Sequence, residues 1–432
     1  MNPFLAQCRA SFEAQATLEA GVAERGQRQA EWTRFEALGW PTTRLEDWKY
    51  TTLSGLEKLS LQNSVEPREE VKGVPPSLPL EGIPANRLVF VDGAFQPNQS
   101  MIDRLPEGVR LRFWSDLDAQ ERERFTHKMA PARALTAFGA LNGALFTEGV
   151  WITVDAGCAL EAPLHLVKVS RTGQRMSHGA VLLELGENSG LTLREHCVGN
   201  TDQPTHSNWV TAIELAPRAR LTLVKVQQEG LLSYHTAALH ALQRAGSHLQ
   251  VFSFALSGAL GRNDITLRLI EPHAECVLKG VYRVADRALQ DFHTSIEHDS
   301  PHCTSDECFK GVLEGSGKAV FNGRVRVALD AQKTSSRQSN HNLLLSDKAE
   351  VNTKPQLEIF ADDVKCSHGT TVGQLDEEQW FYLRARGIAA DLARTLLIQA
   401  FTLEIAEAIP HVGVREEVRH LLSGTVEEND HV

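Results

Sequence analysis

Cysteine is scarce and unpatterned in this chain. Seven cysteines stand among 432 residues, at positions 8, 158, 197, 276, 303, 308 and 366, with no C-x-x-C pair. An odd, scattered set in a long chain argues against a disulfide framework and against a closed zinc site. Positive charge is not in excess either: 44 Lys and Arg face 55 Asp and Glu, a net charge of −11. That balance excludes no local basic patch, but it argues against nucleic acid or an anionic membrane as a partner. Nowhere do 18 apolar residues run together, and the N-terminus MNPFLAQCRASFEAQ has no basic segment followed by an apolar one. The expectation is a soluble, cytosolic protein. There is no G-x-x-x-x-G-K-[ST], so this chain brings no nucleotide-cradling loop of its own.

What is present falls into three parts. At this length the chain should bury roughly three quarters of its surface and divide into two or three units. Residues 1–85 read as a helical unit with a proline-rich connection. Apolar residues recur through Phe12, Leu18, Val22, Trp32, Phe35 and Leu38, as in a helical hairpin broken near Gly21 and Gly26. Arg44 to Leu53, RLEDWKYTTL, joins charges to two aromatics and reads as a docked turn. Pro67, Pro75, Pro76, Pro79 and Pro84 mark a boundary.

Residues 86–375 change texture to short alternating runs. VWITV, LHLVKV, AVLLEL, LTLREHCV, VTAIEL and RLTLVKV follow one another at about ten to fifteen residues, and HLQVFSFAL, DITLRLI, ECVLKGVYRV, AVFNGRVRVAL and HNLLL continue the series. A sandwich and a solenoid both fit such spacing. Short strands, polar residues at the breaks and the lack of hairpin dipeptides other than Asn322-Gly323 favour a mainly β solenoid, a parallel β-helix. Its ends need caps, and both flanks read as helical.

Residues 376–432 form the second helical unit. Asp376 with Gln379 makes a capping box, Gly387 a break, and Pro410 an end to AADLARTLLIQAFTLEIAEAI. Leu392, Leu396, Leu397, Phe401, Leu403 and Ile405 cover more than one face. Such a helix is packed on two sides or offers a face to a partner.

The densest chemistry lies in LEIFADDVKCSHGTTVG, Leu357 to Gly373. Residues two apart in a strand share a face, so Cys366 and His368 would project side by side as a thiolate and an imidazole, a usable pair of soft-to-borderline metal ligands. On spacing alone the commoner meaning of C-x-H is a buried thiol beside a satisfied histidine. A second group, His298, His302, Cys303 and Cys308 in and before PHCTSDECFKG, also gathers potential ligands. Its spacing matches no closed metal site, so a solvated loop that happens to hold polar residues is the favoured account.

RLEDWKYT, KGVLEGSGKAVFNGRVRV, AQKTSSRQSNHNLLLSDKAEVNTKPQLEIFADDVKCSHGTTVGQLD and FYLRARGI followed by DLARTLLIQAF resemble the SufD family of Suf iron-sulfur cluster assembly subunits. The resemblance runs from about residue 40 to 405 and is densest from 331 to 394. It implies a right-handed parallel β-helix between helical domains, in a complex where such a subunit pairs with its paralogue SufB and each binds a SufC ATPase through the C-terminal helices. It implies that His368 serves cluster assembly at the SufB interface with Cys366 beside it, and that Gln374 to Arg386 and the helix after it dock SufC. Thr370-Thr371 stands where many members read Ala-Thr, which touches no ligand. The sulfur-accepting cysteine of the assembly belongs to SufB on this resemblance and falls on no cysteine here. The implied cluster is transient and shared with the partner. A reduced flavin in the complex is compatible with the resemblance and unspecified by the residues, as is a homodimer in isolation.

Two rival classes stay open at this point. A carbohydrate-active enzyme on a β-helix would need paired carboxylates, and the adjacent Asp362 and Asp363 would point to opposite faces of a strand. A purely structural heterodimer partner without ligand role is the other. The expectation is a non-catalytic scaffold subunit.

Overall fold

The computed structural model describes residues 2–18, 22–63, 86–102, 104–199 and 201–424. The body is a parallel β-solenoid. Sixteen strands from Glu148–Val154 to Lys365–Gly373 alternate between two sheets, and within this set every strand pairs in parallel with its neighbours two places away. Eight coils result, with the first sheet ending on Glu350–Ile359 and the second on Lys365–Gly373. Period-2 alternation turns one set of side chains into the lumen. Leu193, Leu223, Val251 and Leu278 from the second sheet, with Leu239, Leu267 and Ile296 from the first, are all at most 1% exposed. Each such burial stabilises by about 1.5–3 kcal/mol as an upper estimate.

The coils turn at a repeating corner. Gly157, Asn188, Arg218, Gly246, His273, His302 and Lys333 all take positive φ between 54° and 71°. Each donates its backbone N–H to a carbonyl one coil further on, as His302 does to Gln332 at 2.9 Å and Lys333 to Asp363 at 2.7 Å. The left-handed slot thus recurs every 27 to 31 residues. The Asn322-Gly323 pair makes no hairpin. It lies inside the strand Lys318–Val327, parallel to both neighbours. What Gly323 supplies is space: a Cβ there would stand 2.5 Å from Gln338 Nε2 and 2.8 Å from the Phe321 ring.

At the N-terminal end, helices Pro3–Leu18 and Val22–Leu38 pack through Phe4, Phe12, Trp32 and Phe35 against Phe138 and Leu141. Gly26 lies within the second helix without ending it. Gly21 and the five boundary prolines lie outside the described residues. RLEDWKYT does dock. Its turn, Glu46–Trp48, sits against the first sheet, where the Arg262 guanidinium lies 4.4 Å over Trp48 and donates to the Asp47 carbonyl at 2.9 Å. Arg262 also pairs with Asp264 and Asp291 at 2.7 Å each, and the Thr51 hydroxyl donates to Asp291. The buried charges are tolerated because they are paired and hydrogen-bonded.

Two helices with no counterpart in the alternating runs, Ala119–Arg133 and Ala137–Leu145, precede the first coil. Asp118 and Glu121 form a reciprocal capping box on the first, and its Phe125 and Met129 cover Trp151, Leu182 and Val210 on the first sheet's outer face.

At the C-terminal end stand three helices, Glu377–Ala385, Ala390–Glu407 and Val412–Gly424. Asp376 caps the first, accepting from the N–H groups of Glu378 and Gln379 at 2.9 and 3.1 Å. The third was not anticipated, since the helical pattern stops at Pro410. The second and third press Ile405, Ile409, Val414, Val418 and Leu422 onto Val224, Phe252 and Val281 of the second sheet. Lys310 fastens them, donating to the Phe401 carbonyl at 3.0 Å and pairing with Glu404.

Candidate functional site

Cys366 and His368 stand on the last strand of the second sheet, paired on one edge with Ser335–Leu344. Register sets Cys366 opposite Ser336 and His368 opposite Gln338. One rung further in come Ser305 and Glu307, then Cys276 and Leu278. All six of those inner residues are buried. Both site side chains therefore occupy lumen-facing positions, one rung beyond the last covered coil. Because no further strand of the described residues covers that rung, Cys366 is half-buried against the end of the core and His368 is exposed. Burial pushes the Cys366 thiol up, partly offset by a backbone hydrogen bond from Ser336.

Asp362 and Asp363 are exposed at the corner before this strand, with Asp363 paired to Lys333. Among the described residues no three His, Cys, Asp or Glu side chains converge as a metal set. Cys366 and His368 are two donors, not a closed site.

The second group of candidates is dispersed by the coil geometry. His298 is sealed in the lumen, its Nε2 2.9 Å from the Ser305 hydroxyl, and burial lowers its ring to about 4, leaving it neutral near pH 7. His302 is the left-handed corner residue, stacked at 5.0 Å on His273 of the coil before. Cys303 is fully buried just after that corner, where other coils place Ser189, Ala219, Ser247, Ala274 and Thr334, all buried. It fills a slot for small side chains. Cys308 points outward, half-buried against the cluster that holds the C-terminal helices.

Sequence reasoning missed the layer beneath the open rung. In Ser335–Leu344 the buried positions are Ser336, Gln338, Asn340 and Asn342, an alternation with its polar side inward. Asn340 donates to the Tyr282 hydroxyl at 3.0 Å, Tyr282 to Asn342 at 2.5 Å, and Asn342 to Asn340 at 2.7 Å. Gly311 leaves room for this plug, since a Cβ there would lie 2.2 Å from the Tyr282 ring. The tilted rings of Phe292, Phe309 and Phe321 pack just inside it. The signal was available in SSRQSNHN, where period-2 polar residues sit within a strand series.

Glu307 belongs to the same layer, accepting from Gln338 Nε2 at 2.7 Å. Burial raises its carboxyl from the ordinary 4.5 to about 7, against the hydrogen bond from Gln338 that lowers it. The unfolded chain gives up this proton near 4.5 and the folded chain near 7, so stability should fall as pH rises through that window and remain lower above it. The cost is about 3 kcal/mol. Glu307→Gln is expected to remove this slope, gaining relative to the unsubstituted chain at pH 8 but not at pH 4. Urea midpoints at the two pH values check it, and parallel pH profiles for both proteins would show that Glu307 does not titrate as described.

Residues 168–401 match the family model described as SUF system FeS cluster assembly, SufBD core domain, and residues 13–166 match the SufBD protein N-terminal region. The iron-sulfur cluster assembly protein SufD of Escherichia coli is 33% identical over 418 residues, covering 94% of this chain and 93% of that protein. An iron-sulfur cluster assembly SufBD family protein of Synechocystis is 30% identical over 394 residues, covering 89% and 87%. The Arabidopsis thaliana chloroplastic protein ABCI7 is 29% identical over 395 residues, covering 89% and 82%. With two domain models in sequence order, relatives matched along most of their length, and a solenoid carrying the C-x-H pair on its final rung, the chain belongs to the SufBD family of Suf-system iron-sulfur cluster assembly proteins and is of the SufD type.

Proposed function

We propose that this chain is a non-catalytic scaffold subunit of an ATP-dependent complex. It pairs through the open end of its solenoid with a SufB-type paralogue, and Cys366 and His368 join donors of that partner around a nascent iron-sulfur cluster. The cluster is cargo, released after assembly. A SufC-type ATPase docks on the C-terminal helices.

The observation that carries this reading is the uncovered last coil. Glu350–Ile359 and Lys365–Gly373 end their sheets, and their residues are half-buried or exposed. Uncovered strand edges carry unpaired backbone groups that template pairing with another chain. A homologous solenoid end satisfies them at low geometric cost. Two donors alone hold iron weakly, and an imidazole binds it more weakly than a thiolate set, which suits a site that must let its product go. Dividing the ligands between subunits lets ATP-driven motion open the site. A homodimer in isolation would use the same edge twice.

Val372 tests the edge without touching either donor. It lies 49% exposed on the last rung. The unsubstituted chain mixed with the SufB-type paralogue should give a heterodimer by light scattering, and Val372→Glu should leave two monomer-sized species. Heterodimer formation undiminished by that charge would place the interface elsewhere.

A further inference from the structure

The lumen column that ends at His368 runs from Leu278 through Glu307 and Gln338. Gln338 is 1% exposed, and its amide nitrogen donates to Glu307 Oε2 at 2.7 Å. Its carbonyl oxygen is buried and accepts no hydrogen bond. Leaving a buried acceptor unsatisfied is destabilising, so an orphan oxygen calls for a partner.

Geometry limits where that partner can be. An amide is planar, with its oxygen diverging from its nitrogen, so the oxygen faces away from the carboxyl that holds the nitrogen. The amide nitrogen occupies the space that Gly323 leaves across the lumen, 2.5 Å from where a Cβ would be. The flank away from Glu307 is the last rung. The residue in register there is His368, whose ring carries an N–H.

We propose that Gln338, anchored by Glu307, is the positioning residue for His368. Its carbonyl oxygen takes the N–H of one imidazole nitrogen, which fixes one tautomer and the ring orientation. The other nitrogen then presents its lone pair to the open end of the solenoid. Metal-binding histidines are commonly held in this way through their second nitrogen, and the hydrogen bond makes the ligating nitrogen more basic. The purpose of this arrangement rests on the reading of His368 as a cluster ligand. The proposed hydrogen bond, not formed in this structure, needs no second subunit, so it is sought in the isolated chain.

The test is the tautomer of His368, read from two-bond proton-nitrogen correlations in the full chain labelled with nitrogen-15 at its histidine rings. His368→Ala assigns the signal. At pH 8 the unsubstituted protein should hold one tautomer in at least about tenfold excess, the ratio that about 1.4 kcal/mol produces. Gln338→Met removes the acceptor with little change in volume, and the ratio should collapse towards that of free imidazole. Glu307→Gln still offers an amide oxygen to Gln338 and should preserve the single tautomer. A mixed population in the unsubstituted protein overturns the proposal, and needs no variant to fold. An unchanged ratio in Gln338→Met overturns it as well. The ligand reading fails on a different measurement, cluster yield in the complex with His368→Ala, so the two failures are distinguishable.

Discussion

His368→Ala is expected to leave the solenoid folded and paired while cluster yield in the reconstituted complex falls by at least about 10–100-fold, the loss typical when support for a metal site is removed. The ring is exposed on the final rung and carries no core packing. Stability should therefore shift by no more than about 0.5 kcal/mol. Circular dichroism and a thermal midpoint establish the fold, and iron and acid-labile sulfide per complex give the yield. Cluster at the unsubstituted level in that variant would remove His368 from the assembly site. It would leave the chain as a structural half of a heterodimer.

The second large effect is expected at the C-terminal helices. Phe381, Tyr382, Leu392 and Leu396 are 70%, 57%, 52% and 39% exposed, although the same helical unit buries Ile405, Ile409 and Val418 on the second sheet. The helices thus pack with one face and leave another apolar face uncovered. Deleting them would be a poor test, because it would strip cover from Val224, Phe252 and Val281 and destabilise the body. Phe381→Glu combined with Leu392→Glu changes only exposed positions. Truncated interface anchors cost 2 kcal/mol or more apiece, so binding of the SufC-type ATPase should weaken by about a hundredfold or more. Calorimetry or biolayer binding reads this directly. Unchanged ATPase affinity in a folded double variant would place docking elsewhere.

Much of the body was legible because a strand with one face in a lumen must alternate, and runs such as ECVLKGVYRV and RLTLVKV do so cleanly. The strands that escaped notice are those where polar residues face inward or small ones dominate. Thr304–Leu313 turns Ser305 and Glu307 into the lumen, so PHCTSDECFKG read as a loop and its cysteines as candidate ligands. The coil repeat was hidden for a different reason. Its left-handed corner accepts Gly, Asn, Arg, His and Lys in turn, so backbone geometry recurs where no residue type does. His302 was a ligand candidate only because that corner does not select its side chain.

The C-x-H pair was visible from period-2 spacing, but its position on an uncovered rung was not. Spacing fixes which residues share a face; only the stacking order says that no coil lies beyond. Gln338 and Glu307 are 28 or more residues from the pair in sequence and one or two rungs away in register. Local pattern cannot bring them together, whereas solenoid stacking does so directly. The helices Ala119–Arg133 and Ala137–Leu145 were lost because a single expected texture was extended across the whole span.

Central to the account is a cluster site divided between two chains, and the most direct measurement is iron and acid-labile sulfide on the isolated chain against the same chain in complex with the SufB-type paralogue and the ATPase. After identical anaerobic reconstitution and desalting, the isolated chain should retain little of either. The complex should accumulate both in a manner that stops when ATP turnover is blocked. A stable, stoichiometric cluster on the isolated chain would contradict the account, because its ligands would then all lie within this one polypeptide.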